Sequence, residues 1–328
     1  MASLDFLALG EPMLEFNQAR ADDPRAWLQG FGGDTSNAAI AAARLGVRAG
    51  YVTRVGRDAF GRRFTELWQR EGVDTRGVRE DDAAPTAVYF VSHGPGGHEF
   101  SYLRAGSAAS RLSPDNLPLD VITDTRILHL SSISQAISPS ACDACFVAME
   151  AAHDAGARIS YDTNLRLKLW PLVRARAVIR ESAQLADWML PSLDDAKHLF
   201  GDVAPDLIVD ACHTWGAPLV VLKLGPAGCI VSDGCRRERI EGFRVDTVDA
   251  TGAGDCFDGA FGARLVAGDD AFAAARYANA AAALATTGFG AVSPLPGDVA
   301  VQALLATRSG VSSPALSGTL SPSGERAG

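Results

Sequence analysis

The sequence predicts an α/β fold built on a mostly parallel sheet, with a second, smaller β-sheet beside it. Short apolar runs alternate with alanine-rich, helix-forming stretches along most of the chain, which is typical of βαβ units. One segment, residues 85–106, departs from this alternation and has the pattern of a β-hairpin. The 328 residues, 47% hydrophobic and 21% charged, are sufficient for one large globular domain.

The first part of the chain shows the alternation most clearly. A buried strand at 4–10 ends in glycine, and two shorter strands fall within 11–32. A polar glycine turn at 32–37 leads into a helix over 38–45, because serine or threonine there can cap the alanine-rich stretch. The next predicted elements are a strand at 50–55 and an amphipathic helix at 60–71.

The hairpin has strands at 86–91 and 98–103 around a turn-rich loop at 92–97. Together with the strands within 11–32, it predicts a small sheet that covers a site, which we call the lid. A simple extension of the main sheet at its edge is the alternative. Two histidines of the hairpin, His93 and His98, are a weaker candidate for a metal site.

Beyond the hairpin the alternation resumes. The predicted elements are strands at 126–130, 157–162, 187–190 and 219–224, a hairpin at 229–240, and helices at 140–155, 253–267 and 270–286. In open α/β sheets ligands bind beyond the carboxyl ends of the strands, where Asp162, Ser192 and Lys223 stand. Residues 309–328 are rich in serine, glycine and proline, which predicts a disordered tail after a domain at 1–308.

Composition excludes several classes of function. The formal net charge of −9 argues against nucleic-acid binding, which needs a basic face. No apolar run approaches membrane-spanning length, and the N-terminus lacks the pattern of a signal peptide, so we expect a cytoplasmic protein that binds no membrane. Cys142 and Cys145 form a lone C-x-x-C within a predicted helix, which favours buried thiols over a metal or redox site.

Residues 249–255, D-A-T-G-A-G-D, are the stretch most suggestive of chemistry. Gly252, Ala253 and Gly254 let a ligand approach the backbone, and the N–H groups that open a helix attract anions such as phosphate. A carboxylate beside a transferring phosphoryl group can accept the proton of an attacking hydroxyl, which is the role that Asp255 would have. A plain helix start capped by Asp255 is the alternative, because glycine-rich motifs are frequent.

Two glycine motifs together resemble the two signatures of the ribokinase-like (PfkB-type) carbohydrate kinases. The early motif is G-G-D at 32–34 with Asn37 and A-R-L-G at 43–46, and the late one is the 249–255 turn. The resemblance covers residues 1 to about 305 and implies a three-layer α/β/α domain with a small β-sheet lid. It also implies a kinase that transfers phosphate from ATP, with Mg²⁺, to a primary hydroxyl of a sugar. No P-loop motif is present.

The resemblance assigns roles to particular residues. Asp255 would be the catalytic base, and the N–H groups of Gly252, Ala253 and Gly254 would stabilise the phosphoryl charge. The residues expected to line the nucleotide are Asn164, Ser192, Lys223, Gly225, Gly228, Thr251, Gly252, Gly254 and Asn279. An interior helix asparagine such as Asn279 could equally lie on the surface. Lid sheets of some relatives pair between subunits, so a homo-oligomer is an open expectation.

The choice of sugar depends on two arginines. Arg104 ends the lid hairpin and Arg166 follows a strand, and a guanidinium matches a carboxylate in geometry. With Tyr89, these motifs are most similar to those of 2-keto-3-deoxygluconate kinases, which implies a sugar acid phosphorylated at its 6-hydroxyl. The residues expected to contact it are Gly33, Asp34, Asn37, Tyr89, Tyr102, Arg104, Arg166 and Asp255.

Alternatives to this assignment remain. Arg166 could instead pair with Asp162 or contact ATP, since D-x-N-x-R also occurs in bacterial fructokinases, and a neutral sugar such as fructose or ribose would then be the substrate. A non-catalytic sugar-acid binding protein of the same fold is a further alternative. Residues 191–194, P-S-L-D, depart from the N-x-x-E that helps to organise magnesium in ribokinases. Asp194 is the candidate replacement, and no metal ligand is assigned.

Overall fold

The computed structural model describes residues 3–20, 23–94 and 97–309, and these residues form two β-sheets surrounded by helices. The strands are β1 Phe6–Leu9, β2 Met13–Arg20, β3 Asp23–Gly32, β4 Ala49–Gly56, β5 Val78–Asp81, β6 Ala87–Gly94, β7 Gly97–Leu103, β8 Ile127–Ser131, β9 Arg158–Asp162, β10 Trp188–Met189, β11 Leu219–Lys223, β12 Cys229–Ser232 and β13 Arg237–Ile240. The helices are α1 Asp34–Arg44, α2 Ala59–Arg70, α3 Leu119–Ile122, α4 Ser132–Ala136, α5 Pro139–Asp154, α6 Leu172–Leu185, α7 Leu193–Phe200, α8 Pro205–Thr214, α9 Ala253–Val266, α10 Ala271–Ala285 and α11 Asp298–Ser309.

The larger sheet has nine strands in the order β13-β12-β11-β10-β9-β8-β1-β4-β5. The strands from β11 to β5 pair in parallel, whereas β12 and β13 form an antiparallel hairpin at one edge. The predicted mostly parallel sheet is therefore confirmed. The strand predicted at 187–190 is shorter than expected, because only Trp188 and Met189 pair with both neighbours.

Helices cover both faces of this sheet. Successive residues of β1 point to opposite faces, so Phe6 and Ala8 pack into one apolar cluster while Leu7 and Leu9 pack into another. The first cluster includes residues of α1, α2, α9, α10 and α11, and the second includes residues of α3, α5, α6, α7 and α8. Two cores on either side of one sheet give the three-layer α/β/α architecture.

The lid is a separate sheet of four strands, in the order β3-β2-β6-β7, and shares no strand with the larger sheet. The hairpin is thus not an extension of the main sheet, and its pairing with the strands near the N-terminus is as predicted. The side chains of His93 and His98 and the residues 310–328 lie outside the described residues, so the metal site and the disordered tail remain predictions.

Two smaller expectations can be compared with the structure. Cys142 and Cys145 are both buried in α5, as the sequence suggested. Within the described residues no cluster of three acidic, histidine or cysteine side chains could hold a metal ion. None of the helices described is both long and apolar enough to cross a lipid bilayer.

Candidate active site

The glycine turn before α9 is held in a conformation that requires glycine. Gly252 is the N-cap of α9 with φ of 76°, and a Cβ there would lie 3.0 Å from the Cα of Ala291. Asp249 accepts hydrogen bonds from the N–H and hydroxyl of Thr251, at 2.9 and 2.7 Å, and from the N–H of Gly290 at 2.9 Å. One carboxylate therefore links the turn to the loop around Gly290.

This turn presents backbone donors to the site. The N–H of Ala253 donates to the carbonyl of Ala250 at 3.2 Å, whereas those of Gly252, Gly254 and Asp255 have no acceptor among the described residues. The atom nearest to the position of a Cβ on Gly254 is Lys223 Nζ, at 3.7 Å. Uncommitted N–H groups at a helix N-terminus beside an ammonium form an anion site, although Ala253 contributes less than predicted.

Asp255 lies in the first turn of α9 and is partly buried. Asn37 Nδ2 donates to Asp255 Oδ2 at 2.8 Å, so the early and late glycine motifs meet at this carboxylate. Burial, together with the nearby charges of Asp34 and Asp162, raises the pKa of Asp255 to about 7, against the opposing effects of Asn37 and Lys223. A carboxylate with this pKa is suited to act as a general base near neutral pH.

Asp34 is the second carboxylate of the site and lies at the start of α1. Its Oδ2 accepts hydrogen bonds from the Ser131 hydroxyl and, at 2.9 Å, from Asn164 Nδ2. Burial raises the pKa of Asp34. Asn164 has a φ of 23°, which asparagine tolerates, and its side chain donates to Asp34, so its predicted contact with the nucleotide stays a prediction.

Gly33 is required by the close approach of two chain segments. Its φ is 115°, and a Cβ there would lie 2.6 Å from the carbonyl oxygen of Glu11. The residue preceding α1 is therefore pressed against the segment that leads into the lid. This contact brings Glu11 next to the substrate residues predicted at 33–37.

Lys223 is clamped between two buried carboxyl groups. Its Nζ lies 3.2 Å from Asp162 Oδ2 and 2.9 Å from Asp258 Oδ1. Burial raises the pKa of Asp258, whereas for Asp162 the effects of Lys223, Asp258 and His129 together outweigh burial and lower the pKa. These directions favour Asp258 over Asp162 as the holder of a proton shared within the pair. His129 lies nearby and is neutral, since burial lowers its pKa to about 4.

Arg104 forms a buried ion pair that the sequence did not predict. Its Nη2 is 2.5 Å from Glu11 Oε2, and its side chain is 12% exposed while that of Glu11 is fully buried. Ser107 donates its hydroxyl to the other carboxylate oxygen, Glu11 Oε1, at 2.5 Å. Burial raises the pKa of Glu11, and Arg104 opposes that shift.

The two lid tyrosines differ in their surroundings. Tyr89 is buried, donates its hydroxyl to Glu15 Oε2, and fills the space where Gly32 lacks a side chain. Tyr102 stacks on Tyr89 with ring centroids 5.9 Å apart and remains largely exposed. Burial raises the pKa of Tyr89, and the charge of Asp255 contributes to that shift, so this face of the lid lies over the predicted base.

Arg166 keeps most of its donors available. Its Nη1 donates to the carbonyl of Leu165 at 2.9 Å and lies 4.0 Å from Asp195 Oδ1, while half of its side chain is exposed. It pairs with Asp195 rather than with Asp162, the partner considered from the sequence. It follows Asn164, whose side chain donates to Asp34, by two residues along the chain.

Four of the residues predicted to line a nucleotide lie near β11, β12 and β13: Ser192, Gly225, Gly228 and Asn279. Ser192 is the N-cap of α7 and accepts from the N–H of Asp195 at 3.2 Å. Gly225 and Gly228 flank a short 3₁₀ turn, and a Cβ on Gly228 would lie 2.0 Å from the carbonyl of Ile240. Asn279 is buried rather than on the surface and donates to the same carbonyl at 3.4 Å. These three positions shape the edge between β11 and α10.

A cavity of about 700 Å³ lies between the four strands of the lid and the loops at 248–251 and 289–293. Its wall includes Glu15, Phe31, Thr251 and Phe289. Asp255, Arg104 and Arg166 are not among its lining residues, so it adjoins the glycine turn without including the predicted base.

Comparison with known proteins identifies the family. A model of the pfkB family of carbohydrate kinases matches residues 7–298. The chain belongs to the pfkB family. This carbohydrate kinase is 36% identical to the probable fructokinase-4 of Arabidopsis thaliana over 317 residues, 91% of this chain and 96% of that relative. It is 34% identical to the 2-dehydro-3-deoxygluconokinase of Bacillus subtilis over 261 residues, 77% of this chain and 81% of that relative.

A solved structure shares the architecture of this pfkB family kinase. A candidate ribokinase II from E. coli, crystallised with ATP and Mg²⁺, superposes with a TM-score of 0.86 at 27% identity, covering 93% of this chain and 99% of that one. The ribokinase-like fold inferred from the glycine motifs is thereby confirmed.

Four acidic residues of this kinase site were not singled out from the sequence as site residues: Glu11, Glu15, Asp195 and Asp258. Of these four, only Asp258 could have been found from the sequence, because it is a charged residue within an otherwise apolar helix that follows the glycine turn. Asp195, not the exposed Asp194, faces the site, and burial and the charge of Asp162 raise its pKa. No sequence signal distinguishes Glu11 or Glu15 from ordinary strand carboxylates.

Proposed function

We propose that this kinase transfers the terminal phosphoryl group of ATP to the 6-hydroxyl of 2-keto-3-deoxy-D-gluconate. Two contacts support the proposal. Asn164, two residues before Arg166, donates to Asp34 at 2.9 Å, and Arg104 pairs with Glu11, whose backbone carbonyl abuts Gly33. A neutral sugar needs no cation there, whereas a sugar acid does.

Asp255 is the general base in this proposal. It accepts the proton of the attacking 6-hydroxyl as the new O–P bond forms and the bond to the leaving ADP breaks. Asn37 fixes one carboxylate oxygen by its 2.8 Å hydrogen bond, which leaves the other oxygen to face the hydroxyl. Its pKa of about 7 means that the base is available at neutral pH and can hold the proton after transfer.

The phosphoryl group would meet the N–H groups of Gly252, Gly254 and Asp255, which lack acceptors among the described residues. ATP would supply the transferring phosphoryl group. Lys223 adds positive potential from below Gly254, and its two carboxyl partners keep it in place. These groups fit a phosphate ligand because donors and positive charge converge on one small, side-chain-free surface.

Magnesium fits this site only as a companion of the nucleotide. The described residues provide no cluster of three acidic ligands, and Mg²⁺ commonly binds through phosphate oxygens, waters and one or two carboxylates. We therefore propose that Mg²⁺ arrives with ATP rather than occupying a preformed protein site. Its chemistry would be to neutralise phosphate charge.

Fructose is the second candidate substrate, and one observation favours it. Arg104 already has a buried counter-ion in Glu11, which partly neutralises its charge before any substrate binds. Several relatives, including Fructokinase-2 of Solanum habrochaites at 35% identity, also carry fructokinase names. Other neutral sugars, such as ribose, belong to the same alternative.

An ADP-release assay with 2-keto-3-deoxygluconate and fructose tests the proposal. We expect kcat/KM to be at least tenfold higher for the sugar acid. Arg166→Ala should raise KM for the acid at least tenfold and KM for fructose by less than threefold, since one charge-assisted contact contributes about that much. A preference for fructose would replace the proposal with its alternative. Sugar-acid binding with no ADP release for any sugar would indicate a binding protein.

A further inference from the structure

Glu11 occupies an unusual position for a carboxylate with no assigned role. It follows β1, at the point where the chain leaves the main sheet for the lid, and its backbone carbonyl abuts Gly33. Its side chain is fully buried behind Arg104 and is fixed by Ser107. Burying a carboxylate is unfavourable unless it is paired, so the Arg104 charge holds it there.

The Arg104–Glu11 contact relies on charge more than on directed hydrogen bonds. Nε and Nη2 of Arg104 and Oε2 of Glu11 are buried and make no aligned hydrogen bond among the described residues, although Nη2 and Oε2 are 2.5 Å apart. A structural Arg–carboxylate pair normally uses parallel N–H bonds, as Arg44 and Glu71 do at 2.7 and 2.9 Å. The Arg104 side chain is 12% exposed, so part of it remains open to a ligand while Glu11 offsets its charge from the buried side.

We propose that Glu11 is a specificity-determining residue, a buried counter-charge that limits how strongly Arg104 attracts an anionic substrate. This deepens the proposed function, on which it rests, because it assigns the strength of the sugar-acid preference to Glu11 rather than to the arginines alone. Glu11 never needs to touch the sugar. It acts by setting the net charge that the Arg104 side of the site presents.

The charge of the substrate makes this testable. Glu11→Gln keeps the size of the side chain and removes its charge, so Arg104 becomes uncompensated. We expect the dissociation constant for 2-keto-3-deoxygluconate to fall at least tenfold, and that for fructose to change less than twofold. Isothermal titration without ATP measures both, and kcat/KM for the two sugars should follow. Glu11→Asp, which keeps the charge, should restore the wild-type ratio.

Two controls separate the charge from damage to the fold. Asp269→Asn breaks another partly buried Arg–carboxylate pair, with Arg264 in the last turn of α9, and should alter the two sugars equally or not at all. Ser107→Ala removes the other bond of Glu11 without changing charge and should leave the sugar-acid to fructose ratio within twofold. If either control shifts this ratio as much as Glu11→Gln does, the proposal is overturned.

A double variant keeps the test valid if Glu11→Gln does not fold. Arg104→Gln should weaken sugar-acid binding at least tenfold, and without its cation the fully buried Glu11 takes up a proton. Adding Glu11→Gln should then leave sugar-acid binding within twofold of Arg104→Gln, because Glu11 acts only through Arg104. A double variant that binds the sugar acid at least tenfold more tightly than Arg104→Gln overturns the proposal. A wild-type enzyme that phosphorylates only fructose refutes the proposed function separately, while selective tightening of the acid by Glu11→Gln still supports the role of Glu11.

Discussion

The two sides of the site use different chemistry, although they meet at Asp255. On the sugar side, carboxylates, amides and guanidiniums pair with one another, as in Asp34 with Asn164 and Glu11 with Arg104. On the phosphate side, backbone N–H groups of a glycine turn face outward, with the clamped Lys223 beneath them. Backbone donors suit a group common to all kinases of the family, whereas side chains can be exchanged as the sugar changes.

Replacing the carboxylate at which the two sides meet should have the largest effect. Asp255→Asn removes the proton acceptor while keeping its shape, so we expect kcat to fall by roughly 10²–10⁴-fold. The fold should not suffer. The pKa of Asp255 rises from 3.8 to about 7 on folding, so its ionised form is disfavoured in the folded state and a neutral amide avoids that penalty.

Thermal unfolding checks the second half of this prediction. Above pH 7 the melting temperature of Asp255→Asn should equal or exceed that of the wild type, and the gap should narrow as the pH falls toward 4. Near-normal turnover, or a large loss of stability at pH 8, would show that Asp255 is a structural helix cap instead.

The glycine turn is the next most sensitive point, on the phosphate side. Gly252→Ala introduces a Cβ at positive φ and 3.0 Å from the backbone of Ala291, so we expect a loss of about 1–3 kcal/mol in stability and at least tenfold in kcat. Gly268→Ala is the matched control, because Gly268, just beyond the other end of α9, also has a positive φ, of 97°, but has open space around its Cβ position. Chemical denaturation and initial rates should show a smaller effect in that control.

The pH dependence tests whether the sugar side tunes the base. Asp255 must be ionised to accept a proton, so kcat/KM should rise with pH through about 7 and level off above it. Asp34→Asn removes a neighbouring negative charge and should move this rise to lower pH. A rise that stays in place in that variant would show that Asp34 does not influence the base.

The smallest change in kcat and stability is expected for Asp258→Asn, because Asp258 is the carboxyl group beside Lys223 that is expected to carry a proton. Asp258→Asn replaces a neutral acid by a neutral amide, so kcat and stability should stay close to those of the wild type. Asp162→Asn removes the one ionised carboxylate beside the ammonium and should destabilise the fold by more than 1 kcal/mol. Comparable effects in the two variants would show that the proton is not confined to Asp258.

Local patterns predicted most of the fold. The apolar runs around β1, β4 and β11 and the alanine-rich stretches of α1 and α10 carry their own periodicity. The start of α1 was predicted wrongly, because the helix begins at Asp34 after Gly33, without the serine or threonine cap that was expected. Two helices had no counterpart in the sequence prediction, α6 at Leu172–Leu185 and α8 at Pro205–Thr214. They are less rich in alanine than α1 and α10, so their sequences carry a weaker helical signal. β10 was predicted too long, because apolar Leu190 continues the run beyond the two residues that actually pair.

The site was predictable in its parts and not in its pairings. Glycine turns and strand ends indicated Asp255, Asn37 and Lys223 individually. The hydrogen bond from Asn37 to Asp255 joins residues 218 positions apart, and the Glu11–Ser107 bond joins residues 96 positions apart. Only the folded chain determines which carboxylate meets which cation, so Glu11 and Asp258 could not be found from spacing.

The carboxylate of Asp249 gives the phosphate side a mechanical property of its own. It accepts hydrogen bonds from both Thr251 and Gly290, so it connects two loops that are far apart in sequence at the N-terminal end of α9. Any displacement of the 290 loop is therefore transmitted to the donors ahead of Asp255. Substitutions in that loop should change the affinity of the site for phosphate, even though the loop supplies none of the proposed phosphoryl donors.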